Sequence, residues 1–133
     1  LGPVATASEQ MVCIDMEHAE REGSRFCGIY NDAGDMMGIV DYLPQGFEGE
    51  PQHAFLELLM IAAPYRQQGL GAAVVAAVEA EIRRSPTVTT IFSGVQVNNP
   101  GAVRFWQRYG YRIVSEPELM PDQTTAVRLQ KDL

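Results

Sequence analysis

One junction constrains this chain more than any other feature. A mostly apolar run, residues 54–61, passes through Ala62-Ala63-Pro64-Tyr65-Arg66-Gln67-Gln68-Gly69-Leu70-Gly71-Ala72 into a helical pattern. The run lacks polar alternation, as expected of a strand covered on both faces. Beyond it Leu70, Val74, Val78 and Ile82 recur at helical spacing, which predicts an amphipathic helix over 69–84, closed by Pro86. Glycines at 69 and 71 let the backbone approach a ligand closely. The first turn of a helix carries unpaired N–H groups and a partial positive charge. Strand, glycine turn and helix start in that order make a pyrophosphate cradle from backbone alone, with no lysine needed.

Other phosphate loops fit less well. A dinucleotide-binding fingerprint wants a third glycine and an acid about twenty positions on. No Gly-x-Gly precedes Gly69, and Val88 stands near the place of the acid. A P-loop needs Gly-Lys-Ser/Thr, which is absent. A tight turn without a ligand would explain an isolated Gly-x-Gly equally well.

The rest of the chain sets the frame around this junction. Thr6-Ala7-Ser8-Glu9 has capping-box spacing, so a helix is expected from there to about Glu22, stopping at Gly23. Residues 26–30 and 36–42 read as two strands joined by Asn31-Asp32-Ala33-Gly34-Asp35, a hairpin turn. Residues 44–52 carry two Pro and two Gly and read as a loop. A strand over 88–97 follows the long helix. Asn99 is a cap, Pro100 suits a first helical position and Gly110 a left-handed exit, so a short helix lies between them. Residues 111–115 and 124–130 close the chain as two strands. This order gives a mixed α/β (α+β) fold with a central sheet.

At 133 residues, 46% of them hydrophobic and 20% charged, the chain fits one globular domain spanning 1–133. Because it opens on Leu1 rather than Met, an incomplete N-terminal part is expected. The net charge of −7 argues against a nucleic-acid partner and suits a cationic acceptor. The most apolar stretches, 54–63 and 70–80, are too short to span a bilayer and carry Glu57 and Glu79, so no membrane partner and a cytoplasmic location are expected. Cys13 and Cys27 form no CxxC pair and sit in no cysteine–histidine cluster, so two reduced, buried thiols and no metal site are expected.

Arg66-x-x-Gly69-x-Gly71 resembles the Q/R-x-x-G-x-G/A signature of the GNAT N-acetyltransferase superfamily. The likeness extends to Leu58-Leu59-Met60-Ile61 before it and to the Tyr65-Arg66 pair. Downstream, Asn99, Ala102, Phe105, Gly110 and Tyr111 resemble the family's N-x-x-A-x-x-F-Y-x-x-x-G-F element, and Arg128-Leu129-Gln130-Lys131-Asp132-Leu133 is similar to its last strand. The resemblance implies the GNAT fold, with acetyl-CoA as cosubstrate held where two parallel strands, 54–61 and 88–97, splay apart. It implies that backbone groups of Leu59, Met60 and Ile61 meet the pantetheine and the thioester. Gln67, Gln68, Gly69, Leu70, Gly71 and Ala72 would wrap the pyrophosphate, and Asn99 would contact the pantetheine arm. The side chains of Gln67 and Gln68 read as solvated.

Amine acetylation requires the acceptor to lose a proton, an oxyanion to be stabilised and the CoA thiolate to be protonated. Glu57, an acid in an otherwise apolar strand, is the candidate base on the expectation that burial raises its pKa; a structural carboxylate is the alternative. The family's acid tyrosine is replaced by Trp106, whose indole has no useful acidity and reads as an aromatic wall of the CoA channel. An acid that some members carry five positions before the Asn is replaced by Gly94. Tyr109 is the remaining candidate donor, against a reading as a core tyrosine. His53 borders the 44–52 loop as a weaker base candidate, and His18 receives no role.

These features imply an acetyl-CoA-dependent N-acetyltransferase acting by direct attack of a primary amine in a ternary complex. Neither cysteine lies in the CoA blocks, which disfavours a covalent intermediate. A small-molecule acceptor is preferred over a protein lysine or N-terminal amine. A non-catalytic acyl-CoA-binding domain is the alternative of a different class. A homodimer is compatible with the chain. Acceptor choice is assigned to the 44–52 loop, the N-terminal helix and the 120–125 loop.

Overall fold

A computed structural model describes residues 9–15 and 23–133. The strands are β1 (Glu9–Asp15), β2 (Arg25–Asn31), β3 (Met36–Leu43), β4 (His53–Ile61), β5 (Thr90–Gln96), β6 (Arg112–Ile113), β7 (Glu118–Leu119) and β8 (Thr125–Asp132). Among the described residues two α-helices interrupt them: α1 (Leu70–Ile82) between β4 and β5, and α2 (Pro100–Arg108) between β5 and β6. The sheet order is β1-β2-β3-β4-β5-β8-β6, with β7 also paired to β8. Among the described residues only β4 and β5 run parallel; every other pairing there is antiparallel.

The expected N-terminal helix is not formed over residues 9–15, which are strand β1 paired to β2 from Glu9↔Asn31 to Asp15↔Arg25. The remainder of that expected helix, and His18, lie outside the described residues. Local capping spacing yields here to a long-range pairing: Met11 and Cys13 are half-buried while Val12 between them is exposed, the two-residue period of a strand. The expected free thiols are corrected as well, since Cys13 and Cys27 are joined in a disulfide. The β1–β2 register sets the two directly opposite each other, which their 14-residue separation conceals. Disulfides persist mainly in oxidising compartments, so the cysteines lend no support to a cytoplasmic location.

The other expected elements appear with ends shifted by a few residues. The strand expected over 88–97 narrows to β5, and β7 is an addition that the sequence pattern does not signal. One face of the sheet is packed by α1 and α2. Val40, Tyr42, Leu56, Ile91 and Leu129 from the strands are fully buried against Val74, Val78 and Ile82 of α1. Among the described residues no helix is long and apolar enough to cross a membrane.

Glu79 also lies on the inward face of α1, only 5% exposed. Its carboxylate accepts from the Tyr111 hydroxyl at 2.8 Å and from Lys131 Nζ at 2.9 Å. Lys131 further donates to the Tyr109 carbonyl at 2.9 Å. A buried charge is tolerated only with such partners. The cluster ties α1, the exit of α2 and β8 together, and it fixes where α2 sits over the sheet.

Candidate active site

β4 and β5 pair only from His53↔Thr90 to Leu56↔Ser93. Beyond that point each strand continues, β4 to Ile61 and β5 to Gln96, without bonding to the other. Two local causes coincide at the vertex. The β3–β4 register slips between Asp41↔Leu58 and Tyr42↔Leu56, so Glu57 is an extra residue on β4, a bulge that bends the strand. Ser93 then donates its hydroxyl to the Leu56 carbonyl at 2.8 Å and fixes the last paired rung.

The parted strands enclose a cleft of about 420 Å³, lined on the β4 side by residues 56–60, on the β5 side by residues 93–96, and closed by Ala102 and Trp106 of α2 and by its cap Asn99. Glu57 is therefore at this cleft, but it is exposed and not buried as the sequence suggested. The bulge turns its side chain out of the packed layer. Leu59 and Met60 line the same cleft. Asn99 lines it too, while its side-chain carbonyl caps α2 by accepting from the Ala102 N–H at 3.1 Å. Trp106 is 7% exposed and meets Tyr111 edge-on at 4.9 Å, so it is both core and cleft wall.

A second cleft of about 520 Å³ opens where β4 ends, lined by Ile61, the turn and the start of α1, with Phe105, Arg108 and Tyr109 opposite. Gln67 (φ 61°) and Gly69 (φ 80°) are both left-handed. Non-glycine residues seldom adopt this region, so the turn holds Gln67 in a sparsely populated conformation. Gly71 has no such requirement; a Cβ there would meet the Phe105 ring at 3.4 Å. Arg66 Nε donates to the Ile61 carbonyl at 2.7 Å and Gln68 Nε2 to the Pro64 carbonyl at 3.0 Å. Both side chains thus hold the shape of the turn. Gln67, Gly69, Leu70, Gly71 and Ala72 line this cleft, whereas Gln68 does not.

The two candidate proton carriers are not brought together. Tyr109 ends α2, packs 5.1 Å from Phe105 and lines the turn-side cleft, while Glu57 lines the cleft between the strands. Trp106 and Tyr109 likewise face different clefts. His53 stands at the paired end of β4, edge-on to Phe92 at 4.9 Å, and lines neither cleft.

On the sheet face opposite α1 and α2, Phe47 of the 44–52 loop stacks on Phe55 at 4.2 Å with planes 6° apart. Arg128 binds Glu48 with both guanidinium nitrogens, at 3.0 and 2.9 Å, and lies over the Phe47 and Phe92 rings at 5.4 and 5.3 Å. The hydrogen bond from Arg128 holds the Glu48 carboxyl below its ordinary pKa. Sequence reasoning missed this cluster; the three phenylalanines and Arg128 are spread over 82 positions and meet only across the sheet.

A sheet parted between two parallel strands, with a glycine turn and a helix start beside the gap, is what the fold and the site define. The family model described as the acetyltransferase (GNAT) family matches residues 4–111. The chain belongs to that family. A Drosophila melanogaster protein described as the probable N-acetyltransferase san is 30% identical over 89 residues, 67% of this chain and 47% of the relative. The chain thus spans about half the length of that curated relative. An Elizabethkingia anophelis GNAT acetyltransferase, solved with acetyl-CoA bound, has the same fold: TM-score 0.73, 12% identity, 96% of this chain and 100% of that one. A mutant form of the Vibrio cholerae spermidine N-acetyltransferase matches with TM-score 0.74 and 11% identity over 96% of this chain and 95% of its own.

Proposed function

We propose that the protein transfers the acetyl group of acetyl-CoA to a primary amine of a small molecule, by direct attack within a ternary complex. The observation that carries this reading is the parting of β4 from β5 after Leu56↔Ser93, directly beside the glycine turn. Peptide groups on the parted edges, around Leu59, Met60 and Ile61, would receive the pantetheine and the thioester oxygen. The turn from Gln67 to Ala72 would hold the pyrophosphate on backbone N–H groups, and Asn99 and Trp106 would flank the arm. The amine nitrogen forms a bond to the acetyl carbon and the carbon–sulfur bond breaks. The ammonium first gives one proton to Glu57, directly or through water; after attack the nitrogen releases its second proton to solvent, and the departing thiolate takes up one proton from solvent or from Tyr109.

Calorimetric titration with acetyl-CoA, followed by an assay of free CoA release across a panel of amines, tests the reading. Micromolar acetyl-CoA binding together with amine-dependent CoA release is expected. No acetyl-CoA binding would overturn it. Binding without release for any amine would favour an acyl-CoA-binding module instead.

A further inference from the structure

We infer that the acceptor is a small primary amine carrying an aromatic ring, and that it reaches the thioester through an opening at Gly94. This rests on the acetyltransferase reading above and names its substrate class.

Gly94 sits in the interior of β5, where glycine weakens a strand and often marks a place that another group must approach. Its backbone does not require glycine, since its φ is not positive. Packing does not require it either: an added Cβ would meet only the Val127 carbonyl, at 3.8 Å. The missing side chain leaves open space, and the strand there borders two hollows. Gly94 and its neighbour Ser93 line the cleft between the parted strands and also a separate cavity of about 460 Å³.

That cavity lies on the face away from the helices. Ile91 pairs with Lys131, whose ammonium reaches Glu79 of α1, so their side of the sheet is the helical one. Alternation along β5 then puts Phe92 and Gly94 on the other side. The walls are Phe47 and Phe55 at one end and Val114, Met120 and Glu118 at the other. The 44–52 and 120–125 loops, each assigned to acceptor choice from sequence, therefore meet at one cavity.

Its chemistry selects. Phe47 is held in place by its stack on Phe55 and by Arg128, whose charge is matched by Glu48. Rigid aromatic walls favour an aromatic guest, by edge or offset contacts. Glu118 is exposed at the cavity and, with Glu48, stands near the Arg128 guanidinium; the two carboxylates outweigh that cation, so the surroundings attract an ammonium. The volume suits a ring with a short arm, and the opening at Gly94 lets the amine at the end of that arm enter the sheet gap.

The test compares kcat/KM for phenethylamine, ethylamine and spermidine at saturating acetyl-CoA, with acetyl-CoA binding measured separately. Phenethylamine is expected to exceed ethylamine and spermidine by about 10²-fold, as ring burial in an apolar pocket implies. Phe47→Ala should collapse that ratio, with Phe47→Leu as the substitute should the alanine variant not fold. Gly94→Val should depress phenethylamine turnover by closing the opening. If acetyl-CoA binds and ethylamine or spermidine is used as well as phenethylamine, or no amine is used, the aromatic-acceptor inference fails. If acetyl-CoA does not bind, the acetyltransferase reading itself fails.

Discussion

Ser93 donates its hydroxyl to the carbonyl of Leu56 across 2.8 Å, at the last rung before β4 and β5 separate. The bond is buried and joins the strands at the vertex of the gap. Ser93→Ala should lower stability by about 1 kcal/mol, the usual net value of a buried hydrogen bond. It should also raise the KM for acetyl-CoA, because the vertex sets the width of the cleft. Urea denaturation and steady-state kinetics on the same variant check both. A stability loss with an unchanged KM would make the bond purely structural.

Gly71 separates two kinds of substitution. A Cβ fits at 3.4 Å from the Phe105 ring, so Gly71→Ala should fold and keep acetyl-CoA affinity within a few-fold. Gly71→Asp sets a carboxylate beside the proposed pyrophosphate, and like charges brought together cost several kcal/mol. An affinity loss of about 10²-fold or more is expected for Gly71→Asp by calorimetry. Equal affinities for the two variants would move the pyrophosphate elsewhere.

Trp106 combines two roles that one substitution can separate. Its ring packs against Tyr111 and Phe105 while lining the strand cleft. Trp106→Ala should cost about 3 kcal/mol or more of stability and weaken acetyl-CoA binding. Trp106→Phe should retain most activity with an unchanged pH–rate profile. Loss of a titrating limb in that variant would assign Trp106 a part in proton transfer.

Glu57 lines the cleft and is exposed to solvent. Glu57→Gln keeps size and hydrogen-bonding reach. It is expected to lower kcat by about 10²-fold, at the low end for general bases, with acetyl-CoA affinity nearly intact. The deficit should shrink as pH rises, because the acceptor then loses its proton unaided. A deficit equal at all pH values would mark a positioning role.

Tyr111 supplies a pH test of the buried cluster. Burial, and then the neighbouring Glu79 carboxylate, raise its pKa well above the ordinary tyrosine value. A raised folded-state pKa means that the folded protein holds the proton longer than the unfolded chain. The stability this contributes is complete below about pH 10 and is lost as pH climbs beyond it. Tyr111→Phe removes a hydrogen bond to a carboxylate, so it should cost about 1.5–3 kcal/mol at pH 8. The gap between the two proteins should narrow above about pH 10 in chemical denaturation. A constant gap would mean that Tyr111 does not titrate on unfolding in this range.

By itself the sequence determined the parts whose physics is local. The glycine turn, the cap at Asn99, the left-handed exit at Gly110 and the helical repeat of Leu70, Val74, Val78 and Ile82 all express preferences of a few neighbouring residues, and the structure forms each of them. The tertiary structure alone decided what depends on distant partners. Pairing with β2 made a strand of Glu9–Asp15 against its capping signal, and the same register joined Cys13 to Cys27. A one-residue slip opposite β3 made Glu57 a bulge and exposed it, which no composition of β4 reveals. Glu79 is buried only because Tyr111 and Lys131 arrive from 32 and 52 residues away to satisfy its carboxylate. Phe47, Phe55, Phe92 and Arg128 likewise become one cluster only across the sheet, because cross-strand neighbours are set by register and not by sequence distance.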